Sequence, residues 1–259
     1  MKNTNYFAHD TVAHRYAYAR PYFHPIVMQH IRHYLKLDSP LETALDVACG
    51  TGHSSIALKA IARRVYGAEL ASSMLAHVIR ESEVEYVQAA AENLPFPDES
   101  IDLMTVCMAL HWLDRAAFLQ EAYRLLRSSP SGTLVIYNNR FRGIMRENPD
   151  FEIWHRDVYI QRYPPPRRKP STLTAEYAAR HGFHYLKEQD YTNNIIFTVR
   201  DLAVYLSTQS NLIAVIEEGH ESLEAIQDWL VASIRPFFNA PTGTFVFNGR
   251  IDFFKKAET

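Results

Sequence analysis

Leu45-Asp46-Val47-Ala48-Cys49-Gly50-Thr51-Gly52 is the stretch whose reading decides the fold. Its first residues end an apolar run, 43–47, that reads as a buried strand, and its last residues open onto a helix-like stretch, 54–62. The 259 residues include only nine glycines, and Gly50, Gly52 and Gly67 fall close together. Glycine clustered in so glycine-poor a chain marks a loop with special backbone demands, a positive φ or a close approach to a ligand. A loop leaving the carboxyl end of a parallel strand is also where open α/β sheets bind ligands.

Outward from that loop the chain alternates. Strands are expected at 64–70, 84–89, 101–108 and 133–137, and helices at 72–80 and 116–127, the latter with Phe118, Ala122 and Leu125 on one face. This rhythm implies βαβ units, a mainly parallel sheet and helices on both faces. Before the loop, a short helix is expected near 10–19, Pro21 and Pro25 punctuate, and 26–36 carries helical spacing. After Asn139 the rhythm breaks. Helical stretches at 150–163 and 173–181 flank Pro164-Pro165-Pro166-Arg167-Arg168-Lys169-Pro170, which cannot be helix interior. Strand-like material at 183–198, helices at 200–207 and 221–237 and an alternating stretch at 244–255 follow. The simplest arrangement is a sheet domain with helices inserted late as a cap.

Composition excludes several classes. With 47% hydrophobic and 22% charged residues, collagen-like, low-complexity and disordered chains are out. The formal net charge of −2 offers no basic field for nucleic acid or a membrane surface. No apolar run approaches the ~20 residues of a membrane span, and the segment Met1-Lys2-Asn3-Thr4-Asn5-Tyr6 lacks the apolar core of a signal peptide. Two cysteines, Cys49 and Cys107, cannot build a disulfide framework and fit a reducing cytoplasm; Cys107 reads as a small hydrophobe in a strand, Cys49 as loop structure. Aromatic residues make up 12%, which reads as thick packing or an aromatic-lined pocket.

The loop is neither of the common phosphate cradles. Ser55 stands where G-x-G-x-x-G needs its third glycine, which also argues against a nicotinamide-dependent oxidoreductase, and no Gly-Lys-Ser/Thr follows. Glu69, at the end of the second strand, lies where doubly wound folds place a carboxylate on ribose hydroxyls.

These residues resemble the class I S-adenosylmethionine-dependent methyltransferases. Beyond the loop and Val65-Tyr66-Gly67-Ala68-Glu69, the segment Ala91-Glu92-Asn93-Leu94-Pro95-Phe96 is similar to that family's adenine loop, and Ser100-Ile101-Asp102-Leu103-Met104 to its fourth-strand entry. Ala109-Leu110-His111-Trp112-Leu113-Asp114, with Phe118, Glu121 and Arg124-Leu125-Leu126, resembles the type 11 subgroup that includes trans-aconitate methyltransferase-like enzymes. Tyr16-Ala17-Tyr18-Ala19-Arg20-Pro21 and Tyr205-Leu206-Ser207-Thr208-Gln209-Ser210 do so too. The resemblance implies an α/β, Rossmann-like seven-stranded sheet, mostly parallel with one antiparallel strand, and a helical cap inserted late. In one domain, 1–259, the core would span 37–139, 183–198 and 243–256, the cap 140–182 and 199–242, and a cofactor-covering segment 1–36.

The resemblance also implies a site. S-adenosylmethionine, leaving as S-adenosylhomocysteine, would contact Tyr16, Arg20, Asp46, Ala48, Gly50, Thr51, Gly52, Glu69, Leu70, Met74, Ala91, Glu92, Asn93 and Met108. Glu69 would accept both ribose hydroxyls, and Arg20 would pair with the methionine carboxylate or make a surface ion pair. Asp46 orients the loop or meets the ammonium. Leu70 and Met74 flank the adenine, unless Met74 is simply core. Ala90 replaces the aspartate that often bonds the adenine amine, so recognition falls to backbone at Ala91 or to the Glu92 and Asn93 side chains. His111 is a general base, an acceptor contact or a packing residue; Trp112 walls the pocket or packs under the cap. Tyr205, with Trp154 and Tyr163, lines the substrate pocket or belongs to the core. Arg167-Arg168-Lys169 is a solvated face or an anion clamp. His24, His30, His33, His181 and His184 show no metal spacing, and no metal is expected.

The expected reaction is methyl transfer to a small molecule by in-line displacement at the sulfonium, with a carboxylic acid as the leading acceptor. The alternatives are C- or N-methylation with His111 as base, or a non-catalytic cofactor-binding protein. No Asn/Asp-Pro-Pro-Tyr/Phe motif follows the fourth strand, which argues against a nucleic-acid amino group as acceptor. The oligomeric state is not readable from the chain.

Overall fold

The structure, a computed structural model, describes residues 7, 9–80, 83–128, 132–166, 170 and 172–258; the Arg167-Arg168-Lys169 run lies outside them. In chain order the elements are α1 (Asp10–Ala19), α2 (His24–Tyr34), β1 (Leu41–Val47), α3 (His53–Leu58), β2 (Ala62–Glu69), α4 (Ser72–Ala76) and β3 (Val84–Gln88). Then come β4 (Leu103–Cys107), α5 (Arg115–Leu125), β5 (Thr133–Met145), α6 (Asp150–Trp154), a π-helical turn (His155–Tyr159), α7 (Ile160–Arg162) and α8 (Ala175–Ala179). The chain closes with β6 (Phe183–Thr198), α9 (Val199–Leu206), α10 (Ser210–Glu217), α11 (Leu223–Ile234) and β7 (Thr242–Lys256).

Five successive buried residues, Thr43 to Val47, make β1 a central strand covered on both faces. The sheet order is β3-β2-β1-β4-β5-β7-β6. β1 pairs in parallel with β2 and β4, β2 with β3, and β4 with β5. The chain therefore walks outward from β1 to β3 and returns to β4 on the other side, which places the topological switch point at the carboxyl ends of β1 and β4. β7 is the antiparallel strand: Lys256 bonds to Gly132 while Arg146 bonds to Thr244, and on its other edge Ala257 bonds to Gly182 while Gly249 faces the Tyr191 ring.

The chain divides into two compact units. The first holds Met1–Pro21, Asn139–Arg167 and Tyr191–Gly249; the second holds Tyr22–Asn138, Arg168–Asp190 and Arg250–Thr259. The second unit's core packs Leu45, Val47, Met104, Val106, Leu134 and Ile136 of the sheet with Phe118, Leu119, Ala122 and Leu125, the α5 face expected from the spacing. The first unit's core is largely aromatic, with Phe151, Trp154, Tyr159, Tyr163, Tyr205, Phe245 and Phe247. Much of the chain's aromatic content is thus core packing.

Three elements differ from the expectation. β5 runs on to Met145, because residues 139–145 keep a strand's alternation of buried and accessible positions despite Arg140 and Arg142. The helix expected at 150–163 runs continuously from Asp150 to Arg162 but carries a π-helical turn at His155–Tyr159. α10 is an additional helix in a stretch, Leu212 to Ile216, that is apolar throughout and so carries no helical period. Among the described residues, no helix is long and apolar enough to cross a membrane, and no group of three or more His, Cys, Asp or Glu could hold a metal ion.

Candidate functional site

The loop after β1 is held in an unusual backbone path. Ala48, Gly50 and Gly52 all lie in the left-handed region, at φ 54°, 57° and 86°. Glu69 braces it: the Gly50 N–H donates to one carboxylate oxygen at 3.0 Å and the Ala71 N–H to the other at 2.9 Å. The glycine cluster is united by Tyr86 of β3. A Cβ on Gly52 would lie 2.3 Å from the Tyr86 hydroxyl oxygen, and one on Gly67 2.7 Å from its ring. Gly67 is therefore glycine because a tyrosine ring crosses the strand there. Around Gly50, by contrast, an added Cβ would meet nothing within 4 Å.

Asp46 is fully buried and accepts hydrogen bonds from the hydroxyls of Ser54 (2.5 Å), Ser55 (2.7 Å) and Thr105 (3.0 Å). It ties the first turn of α3 and strand β4 to β1. Burial pushes its carboxyl up to about 6, against the lowering effect of the three hydroxyls. The bonds present here are those of an orienting residue. Thr51 is buried, and its carbonyl accepts the Ile79 N–H at 3.2 Å.

Past β2, Leu70 is 57% exposed and Met74 is buried. In the expected adenine loop, Ala91 is buried and Asn93 exposed. The Glu92 carboxylate accepts the Asp114 N–H at 2.8 Å, so it links this loop to the N-cap of α5. Glu121 and Arg124 of α5 hold the same loop: Leu94 N–H donates to Glu121 at 2.7 Å, and Arg124 donates to the carbonyls of Leu94 and Phe96 and to Asp98 and Glu121. Arg124 beside it holds the Glu121 carboxyl below its ordinary value. After β4, Met108 is left-handed (φ 54°) and its N–H donates to the Tyr137 carbonyl. His111 is half-buried, its ring 4.9 Å from that of Trp112, which is 36% exposed.

His24 was passed over in the sequence as lacking metal spacing, and nothing local in the chain distinguishes it. Its Nδ1 lies 2.9 Å from the Tyr137 hydroxyl, and its ring stacks on Phe23 at 4.2 Å and lies 6.5 Å from that of His53, the residue after Gly52. Burial pushes His24 down to about 3, so it is neutral at ordinary pH. These residues, from the loop at 48–52 to Trp112, all belong to the second unit and cluster after β1, β2 and β4. Tyr16, Arg20 and Tyr205 belong to the first unit. There the Arg20 guanidinium lies over the Tyr16 ring at 4.4 Å and the Tyr205 ring at 5.5 Å and donates to the Thr208 carbonyl. Tyr205 itself is buried.

An acidic brace at the end of β2, a left-handed glycine loop at the switch point and a stapled loop after β3 thus lie at the strand ends where open α/β sheets bind ligands. Comparison with known proteins agrees. Residues 45–136 match a family described as a methyltransferase domain. A Dictyostelium discoideum protein described as a methyltransferase is 27% identical over 191 residues, covering 72% of this chain and 71% of that one. The malonyl-[acyl-carrier protein] O-methyltransferase of Yersinia pestis is 33% identical over 106 residues, which is 40% of this chain and only 38% of that protein's length. In fold, a solved structure described as a type II methyltransferase from Anaeromyxobacter dehalogenans aligns over 88% of this chain and 95% of its own, with a TM-score of 0.67 and 20% identity. The chain carries a methyltransferase domain over residues 45–136 and is an S-adenosylmethionine-dependent methyltransferase.

Proposed function

We propose that this methyltransferase acts on a small molecule and that the accepting atom is a carboxylate oxygen. Glu69 carries the cofactor end of the reading. Each of its oxygens accepts one loop N–H, and an ionised carboxylate offers about four acceptor positions. Capacity therefore remains on both oxygens for the paired hydroxyls of a ribose. The open space at Gly50 suits close approach of the methionine portion to the backbone of residues 48–52. Leu70, Met74, Ala91, Asn93 and Met108 would bound the adenosine, with Asp46, Thr51 and Glu92 fixing the loops that present them. Tyr16 and Arg20 carry over from the family resemblance alone. When bound, the cofactor supplies an electrophilic methyl group on a sulfonium. The chain's own task is to hold the acceptor about 3–3.5 Å away, in line and dry.

A carboxylate acceptor is supported by two considerations. It is ionised at neutral pH and needs no base, and the Yersinia pestis relative is by name a carboxyl O-methyltransferase. The second reading, C- or N-methylation, uses His111 as base; its half-buried place after β4 favours it. The His111-Trp112 pair supports membership of the trans-aconitate-like subgroup, and two cysteines, Cys49 and Cys107, outside any disulfide suit a reducing cytoplasm. The test is transfer of labelled methyl from S-adenosylmethionine into a metabolite extract. Carboxyl methylation predicts a product that releases labelled methanol in mild alkali. An alkali-stable labelled product selects the second reading.

A further inference from the structure

The first unit leaves several buried polar groups unsatisfied. Arg20 is half-buried, its Nε is buried without an acceptor, and among the described residues it has no carboxylate partner. Asn139 is 4% exposed, and its Oδ1 is buried without a donor. His155 makes ring contacts with Phe141 at 5.3 Å and Tyr159 at 5.4 Å, and no hydrogen bond among the described residues. Buried polar atoms of native proteins are nearly always satisfied, so Arg20 Nε and Asn139 Oδ1 each ask for a partner, and half-buried His155 has its ring nitrogens to spare.

His155 and Tyr205 lie beside the ring of Phe141, which also packs against Phe151, Phe245 and Phe247. Asn139, Phe141 and Gly143 alternate along the same face of β5. Phe141 lies 5.7 Å from Tyr205, over which Arg20 sits, and 5.3 Å from His155. Two backbone irregularities meet at His155. It opens the π-helical turn, and π-turns recur at functional sites. Opposite it, Gly143 is left-handed at φ 68°, and a Cβ there would come within 2.2 Å of His155 Nδ1. Both distortions serve to seat this imidazole. Burial pushes it down to about 4, so it stays neutral and keeps a lone pair for a donor.

We infer that the first unit carries a binding site for a carboxylic acid with an apolar, planar body. The body would lie on Phe141, the carboxylate on the Arg20 fork, and a hydroxyl or amino hydrogen of the same molecule on His155 or Asn139. This rests on the small-acid reading above and deepens it, since it specifies an acid that also bears a hydrogen-bond donor, and it moves Arg20 from the cofactor's carboxylate, where the resemblance put it, to the substrate's. Guanidinium matches carboxylate as a planar fork, and aromatic walls favour a planar body.

The test uses three probes, 3-phenyllactate, 3-phenylpropionate and 2-phenylethanol, titrated calorimetrically into protein saturated with S-adenosylhomocysteine. The hydroxy acid is expected to bind about fivefold tighter than the deoxy acid, the value of one neutral hydrogen bond. The alcohol, which lacks the carboxylate, should bind about tenfold weaker or worse. His155→Phe should make the two acids equal while S-adenosylhomocysteine affinity stays within about twofold. His155→Gln, which restores an acceptor, should recover part of the preference and covers the case in which the phenylalanine variant folds poorly. Arg20→Gln should weaken both acids about tenfold. The inference is overturned if the wild type binds S-adenosylhomocysteine but neither acid, or if the preference survives in both His155 variants. It is also overturned if Arg20→Gln weakens S-adenosylhomocysteine as much as the acids, which would assign Arg20 to the cofactor. A wild type that fails to bind S-adenosylhomocysteine contradicts the methyltransferase reading instead.

Discussion

The two units treat buried polarity in opposite ways. Around Asp46 in the second unit, three hydroxyls satisfy one buried carboxylate. In the first unit, Arg20 Nε and Asn139 Oδ1 are buried without partners, and His155 stands among aromatic rings with no hydrogen bond among the described residues. A saturated network builds a scaffold that is complete without its ligand. An unsaturated one costs stability until something else satisfies it. Motifs of the first kind recur at fixed spacing, because each member bonds to another close in sequence or on the next strand.

The largest expected effect concerns two histidines, buried His24 and half-buried His155, one in each unit. The folded state keeps His24 neutral down to about 3 and His155 down to about 4, while the unfolded chain protonates near 6.5. Unfolding therefore takes up protons below pH 6.5. The stability these histidines contribute is complete above that pH and is lost as pH falls toward 4, at about 1.4 kcal/mol per unit for each group. Urea midpoints at steps from pH 7 to pH 4 should fall for the wild type and fall less steeply for His24→Phe and His155→Phe. Equal slopes in all three proteins would remove the comparison.

Next is the glycine cluster. Gly67→Ala forces its methyl to 2.7 Å from the Tyr86 ring and 2.9 Å from the Ser55 hydroxyl oxygen. Overpacking of this kind costs about 1–3 kcal/mol. Pairing it with Tyr86→Leu should return part of that loss in a double-mutant cycle of unfolding free energies. Asp46→Asn sets an amide against three hydroxyl donors and should cost about 1–3 kcal/mol. Because burial holds the folded carboxyl protonated up to about 6, the gap between wild type and variant should narrow as pH rises from about 4 to 6. The smallest effect is Leu70→Ala. At 57% exposed it should change stability by under about 0.5 kcal/mol, yet weaken S-adenosylhomocysteine several-fold if it flanks the adenine.

The same contrast explains what was legible in the chain. Alternating apolar and helical periods located the strands of the sheet, and the spacing from Asp46 to Glu69 located the loop, since those signals are local. Gly67 was read only as part of the strand delivering Glu69. Its actual constraint is the ring of Tyr86, brought alongside by the β2–β3 pairing. Glu121 and Arg124 carry part of the resemblance, but their work as a staple on Leu94 and Phe96 shows only with α5 laid against that loop. α10 and the continuation of β5 escaped because one is apolar on all sides and the other is interrupted by arginines. The seat of His155 depends on a π-turn meeting a left-handed glycine, and no linear pattern encodes that pairing.

The central claim is that Glu69 joins the loop brace to the ribose contact. Calorimetric titration of S-adenosylhomocysteine into the wild type and Glu69→Ala tests it directly. The account predicts one-to-one binding to the wild type and an affinity about 100-fold weaker in the variant, the value of two hydrogen bonds to a charged group. No binding to the wild type, or equal binding by the two proteins, would contradict it.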